Sequence, residues 1–226
     1  MMHSSMTLKG RLMESGKDNT PVRREGLGLA NSVTLARILL IPFFLVALLS
    51  AWPSLFHNAR VLYILRPWIA VAVFAVLAAT DAVDGYLARS RGEITTFGKF
   101  IDPLADKILI TAALLGLIEM RVLPAWVALI IIAREFIVSG LRMIASAEGV
   151  IIAASWLGKL KTNLQIVAIC LFIVKDSSVI LALPHVWAQA FNIFSWAVMA
   201  AAVVITIISL VSYFKHASEV LKGPWN

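Results

Sequence analysis

A single cysteine, Cys170, stands in the whole chain of 226 residues. No intrachain disulfide can form, and a metal site built on cysteine ligands is excluded. The chain does not open on a short apolar stretch with a small-residue cleavage site. Its first segment, polar and basic through about Glu25, therefore reads as mature protein and not as a removed signal. An internal repeat of fixed period is also lacking. The formal net charge is +7, yet no basic stripe interleaved with aromatic residues accompanies it, so a nucleic-acid partner is not expected. The surplus lysine and arginine instead suits anionic lipid headgroups and the cytoplasmic loops of a membrane protein.

What the chain has in quantity is apolar side chains. They make up 60% of it, and the mean hydropathy is +0.88. Soluble domains hold roughly 45–50% apolar residues, so the solvent for this chain is lipid. Hydrocarbon about 30 Å thick takes about 20 helical residues to cross. A chain of this length accordingly holds about six such helices and short loops, with no room for a second soluble domain. The expected fold is all-α: six transmembrane helices in one bundle spanning residues 31–226, preceded by a polar, basic segment of residues 1–30. The stretch "MTLKGRLMES" in that segment is too short and weakly patterned to choose between disorder and a surface helix.

The predicted spans run from about Asn31 to Ala51, Pro67 to Arg89, and Asp102 to Met120. A fourth follows a tight turn at "RVLPAW", where Pro124 suits a first helical turn, and reaches about Ser146. The fifth covers about Lys159 to Val174, "KDSSVILALPHVW" crosses over, and the sixth lies within Val186 to Phe214. With this topology sixteen of the twenty basic residues fall on one side, leaving Arg60, Arg66, Arg121 and Lys175 on the other. Both termini are then expected in the cytoplasm.

Against this background "DAVDGYLARSRGEITTFGKFIDPLAD" is unusual, since it sets Asp81, Asp84, Asp102 and Asp106 at the foot of one span and the head of the next. The first pair is three residues apart and the second four, so each shares a helix face. Four carboxylates at a lipid boundary repel one another unless cations neutralise them. Hard divalent ions answer that need, and magnesium or manganese suits carboxylate ligands. Two such ions about 3.5–4 Å apart would serve in-line phosphoryl displacement. Gly85 and Gly98 leave room for a backbone or flat ligand, and Arg89, one turn past Gly85, can reach a phosphate oxygen. Taken singly, these acids also read as solvated caps and the glycines as helix contacts. A carboxylate relay in a cation transporter is the reading from another class.

Read as one string, D-x-x-D-G-x-x-A-R, an eight-residue gap, and G-x-x-x-D-x-x-x-D, the stretch matches all eight fixed positions of a signature. It resembles that of the CDP-alcohol phosphotransferase family, six-helix membrane enzymes, commonly dimeric, that move a substituted phosphate from a CDP-linked donor to an alcohol. The resemblance implies metal ligation by Asp81, Asp84 and Asp102, with Asp106 partly in that shell and acting as general base. It also implies a donor site in which Gly85, Ala88 and Gly98 line the cytidine slot and Arg89 holds phosphate. Asn31, Thr34 and Arg37 are drawn toward the donor or acceptor pocket, the first two counted with donor binding.

The flanks, "NSVTLARILLIPFF", "AREFIVSGLRMIA" and "GKLKTNLQ", resemble bacterial members that use glycerol 3-phosphate as acceptor. That implies a donor of CDP-diacylglycerol, an acceptor of glycerol 3-phosphate and a place in the bacterial cytoplasmic membrane. The acceptor is a dianion, and Arg134, Arg142, Lys159 and Lys161 form a cationic set for its phosphate. Each of these also reads as an anchor snorkelling to headgroups. Glu135 is expected to pair with a neighbouring arginine, because an unpaired charge at that depth is costly. Phosphatidylglycerol, the acceptor of a cardiolipin synthase, is the rival within the family.

Overall fold

The structure, a computed structural model, describes the backbone of residues 29–50, 59–91, 96–147 and 156–221. Side chains are described within 36–50, 60–80, 107–143 and 158–215, and at Ala145. The polar N-terminal segment, residues 1–28, lies outside the described residues. Every described element is helical: α1 (Leu29–Leu49), α2 (Ala59–Arg91), α3 (Thr96–Glu119), α4 (Ala125–Ala147), α5 (Trp156–Val174), the one-turn α6 (Ser178–Leu181) and α7 (His185–Leu221). No strand occurs among the described residues.

The six helices expected from the sequence are all present, with shifted ends. α2 begins eight residues before Pro67, which stands inside the helix. A proline interior to a membrane helix is tolerated because neighbouring groups take up the backbone group it frees. α3 likewise begins at Thr96, so that Pro103 is internal and the expected start at Asp102 is a turn and a half late. The crossover after α5 contains α6, whose first turn is closed by Ser177 Oγ accepting from the Ile180 amide at 3.4 Å.

The expected tight turn between α3 and α4 is a Schellman motif. The Val122 amide donates to the Leu117 carbonyl at 3.1 Å and the Arg121 amide to the Ile118 carbonyl at 2.8 Å. Arg121 holds the left-handed position, φ 58°, where glycine is usual. Such a turn makes α3 and α4 antiparallel neighbours.

Packing follows from small and apolar side chains. Phe44 of α1 and Phe74 of α2 lie 5.6 Å apart between ring centroids, and Arg66 Nη2 donates to the Leu48 carbonyl at 2.7 Å. These pairings make α1 and α2 antiparallel. Gly116 brings α3 against α1, since a Cβ there would come within 2.6 Å of Leu48 Cδ2. Phe172 of α5 meets Trp196 of α7 edge to face, with centroids 5.0 Å apart. α7 packs against both α4 and α5.

Apolar residues also cover the outside. Phe43 is 67% exposed and Val186 is 74% exposed, alongside Leu39, Leu129 and Trp187. A helix that is apolar all round belongs in a core or in lipid, and exposed faces of this size select lipid. Residues Arg60–Thr80 and His185–Lys215 are long and apolar enough to cross a membrane by themselves, at mean hydropathies of 2.2 and 2.4. The charged residues within α4 and α5, Arg134, Glu135, Arg142, Lys159 and Lys161, are all among those singled out above, and α3 adds Lys99, Lys107 and Glu119 to its two aspartates.

Candidate active site

α2 carries Asp81, Asp84, Gly85, Ala88 and Arg89 on about its last three turns, and α3 carries Gly98, Asp102 and Asp106 on about its first three. Their side chains, and those of Asn31 and Thr34, lie outside the described residues. Backbone register nevertheless gives their levels. The contact between Leu48 and Gly116, carried down the parallel pair α1 and α3, sets Thr34 level with Asp102 and Arg37 level with Ala105. The pairings Phe44–Phe74 and Leu48–Arg66, carried along antiparallel α1 and α2, set Thr34 and Arg37 opposite about residues 77–84. The helices therefore bring Asp81, Asp84, Asp102, Asp106, Thr34 and Arg37 to one level at one end of the bundle. Arg37 is buried there, 2% exposed, and Lys107 is half-buried.

The cations of α4 and α5 are described in full. Arg134 is 5% exposed; its Nη2 donates to Ser209 Oγ of α7 at 2.6 Å, and its Nη1 lies 3.5 Å from Glu135 Oε1. Glu135 also accepts from Lys161 Nζ of α5, which is buried at 2% exposure. The expected arginine partner of Glu135 is present, and the lysine from the next helix is a second. Arg142 is exposed at its tip, while its Nε donates to the Tyr213 hydroxyl at 2.6 Å. Lys159 is exposed, two residues before Lys161. Arg134 Nε is buried and has no hydrogen-bond partner among the described residues.

Depth links the two halves. From the tight turn, Arg134 lies about 14 Å and Arg142 about 26 Å along α4, at 1.5 Å per residue. On antiparallel α3, Asp106 and Asp102 lie about 20 and 26 Å from the same end. Arg142 is thus level with Asp102, and Arg134 lies about 6 Å, roughly one turn, deeper than Asp106. An array of this kind, acids on α2 and α3 with arginine and lysine on α4 and α5, is suited to gathering metal-bound and free phosphates. Among the residues with described side chains, no cluster of His, Cys, Asp or Glu could hold a metal ion.

Two contributors escape a reading by motif. Ser209 and Tyr213 of α7 hold the two arginines, and their signal is a stripe of hydroxyls, Thr206, Ser209 and Tyr213, at helical spacing inside an apolar run. Thr206, one turn deeper, accepts from Gln165 Nε2 of α5 at 3.1 Å.

Comparison with known proteins identifies the family. The family model described as CDP-alcohol phosphatidyltransferase matches residues 27–208. A Bacillus subtilis protein named CDP-diacylglycerol–glycerol-3-phosphate 3-phosphatidyltransferase is 39% identical over 198 residues, covering 86% of this chain and 97% of the relative. A Mycobacterium tuberculosis protein, "Probable phosphatidylglycerophosphate synthase", is 42% identical over 195 residues, 86% of this chain and 84% of its own. A Salmonella typhimurium protein with the same name as the Bacillus one is 34% identical over 192 residues, 82% of this chain and 92% of its own. A transferase family spanning most of the chain displaces the cation-transporter reading. The chain belongs to the CDP-alcohol phosphatidyltransferase family.

Proposed function

We propose that this chain transfers the phosphatidyl group of CDP-diacylglycerol to glycerol 3-phosphate, giving phosphatidylglycerophosphate and CMP. The observation that carries the acceptor assignment is the set Arg134, Arg142, Lys161 and Glu135, in which the one carboxylate pairs with Arg134 and Lys161 and Arg142 is held by Tyr213 two turns further along α4. Its formal charge of +2 complements a phosphate monoester dianion better than a singly charged phosphodiester such as phosphatidylglycerol. The names of the Bacillus and Salmonella relatives support the same substrates.

The acceptor phosphate is held by Arg134, Arg142, Lys159 and Lys161. Asp106 takes the proton of the attacking hydroxyl, whose oxygen forms a bond to the lipid-side phosphorus of the donor. The bond from that phosphorus to the CMP phosphate oxygen breaks, and CMP leaves with the electron pair. Gly85, Ala88 and Gly98 line the cytidine slot, Arg89 holds donor phosphate, and Asn31 and Thr34 complete the donor side with Arg37 at its edge. Four carboxylates suit hard oxygen-seeking cations, so Asp81, Asp84 and Asp102, with Asp106, would hold two Mg²⁺ or Mn²⁺. When bound, these ions would neutralise charge on the diphosphate and the departing CMP.

The enzyme sits in the bacterial cytoplasmic membrane with six spans, both termini and the aspartates on the cytoplasmic side, and works as a homodimer. Support for the orientation comes from the sixteen basic residues on that side. The opposite end exposes Tyr63, Trp126 and Trp187 near the starts of α2, α4 and α7, as an interfacial aromatic belt does. The long helices, 19 to 37 residues, are each about 28 Å or more in length.

The test is CMP release by the purified protein with CDP-diacylglycerol and Mg²⁺. Release should depend on glycerol 3-phosphate. Release driven by phosphatidylglycerol instead, and unaffected by Arg142→Ala, would transfer the assignment to the rival acceptor; no release with any alcohol would refute the enzyme reading.

A further inference from the structure

Resting on that acceptor assignment, we propose that α7 tunes the acceptor site: Ser209 and Tyr213 are positioning residues that hold Arg134 and Arg142 ready for the acceptor phosphate. Neither residue is asked to touch the reacting atoms.

The register of α7 carries the inference. Positions 206, 209 and 213 are three and four apart and so share one face. Each makes a bond to a neighbouring helix, Thr206 with Gln165, Ser209 with Arg134 and Tyr213 with Arg142. Hydroxyls in apolar helices commonly bond back to the carbonyl four residues earlier, as Ser139 and Ser195 do here at 2.7 and 2.8 Å. Ser209 and Tyr213 instead accept from cations on α4. Both are buried, so the bonds form where water competes little.

The way donors are shared matters as much. Arg142 is held through Nε, which leaves its two terminal nitrogens for an anion. Arg134 is held through Nη2, and its buried Nε is left without a partner among the described residues. An unsatisfied buried donor is costly, and an anion arriving beside Arg134 would relieve it. A long, flexible arginine fixed beforehand also loses less freedom on binding. The Thr206–Gln165 pair differs in being neutral on both sides and one turn deeper, so it joins helices without orienting a cation.

The full-length protein in phosphatidylcholine nanodiscs tests this through CMP release, titrating glycerol 3-phosphate at saturating CDP-diacylglycerol. Ser209→Ala and Tyr213→Phe should each raise KM for glycerol 3-phosphate about tenfold, roughly 1.4 kcal/mol. Their kcat and their KM for CDP-diacylglycerol should stay within about twofold, and Ser209→Thr should restore the acceptor KM. Thr206→Val should lower the unfolding temperature with the acceptor KM unchanged. Unchanged acceptor KM in both Ser209→Ala and Tyr213→Phe would overturn the positioning role, as would an equal rise in Thr206→Val. Wild-type protein that ignores glycerol 3-phosphate altogether would instead refute the acceptor assignment on which the role rests.

Discussion

Replacing Glu135 by glutamine removes the one carboxylate from the described cation cluster while keeping its shape. Lys161 is the group that suffers. Its side chain is 3% exposed, that of Glu135 is 14% exposed, and the pair bridges α4 and α5. Removing one partner of a buried ion pair leaves an uncompensated charge and costs about 3–5 kcal/mol. Arg134, 3.5 Å from the same oxygen, adds a second cation to the imbalance. The lower figure is the better guide, because Arg142 beyond it reaches solvent. For a chain of this size about 3 kcal/mol lowers the unfolding temperature by about 6–12 °C. The single cysteine provides the assay: half-buried Cys170 on α5 reacts with a fluorogenic thiol dye as that helix comes away. The double variant Glu135→Gln with Lys161→Met should recover much of the loss, since removing both charges leaves none unpaired. An unfolding temperature within 2 °C of wild type for Glu135→Gln, or no recovery in the double variant, would refute the view that this pair is a buried, mutually dependent link.

Asp106→Asn should lower turnover by about 10²–10⁴ while CDP-diacylglycerol binding survives, and unchanged CMP release would remove Asp106 as the base. Arg121→Gly should raise the unfolding temperature by a few degrees, because a non-glycine residue at φ 58° costs roughly 1–2 kcal/mol that glycine avoids; a fall would show that the arginine's side chain outweighs its backbone. Gly116→Val should cost about 1–3 kcal/mol by pushing buried Leu48 off α3, and activity should fall with it because the same contact sets the level of Thr34 against Asp102. Retained stability and activity would show that α1 and α3 can slide without consequence.

The aspartate motif was legible because its information is local. Spacings of three and four survive in any helix that forms, and the turn before Pro124 is equally local. The errors came at helix starts. The start expected at Pro67 is eight residues late, because Ala59 to Arg66 continue the helix before it. The start of α3, expected at Asp102, is six residues late in the same way, with Pro103 inside the helix. What could not be read locally was pairing across helices. Glu135 stands next to Arg134 in sequence, and that contact was expected; Lys161, twenty-six residues away, reaches it only because α5 packs beside α4.

The hydroxyls of α7 show why such pairings carry functional weight in lipid. Arg134 and Lys161 are buried in helices that are mostly apolar, and an isolated charge there is too costly to keep. Each must therefore be bonded by a group that another helix supplies. The proposed acceptor site then depends on side chains from α4, α5 and α7 together, and a substitution on α7 is felt by cations far from it in sequence. A weakly polar stripe in an apolar helix is consequently worth reading against the charged residues of its neighbours, because those charges fix which hydroxyls the helix cannot exchange for methyl groups.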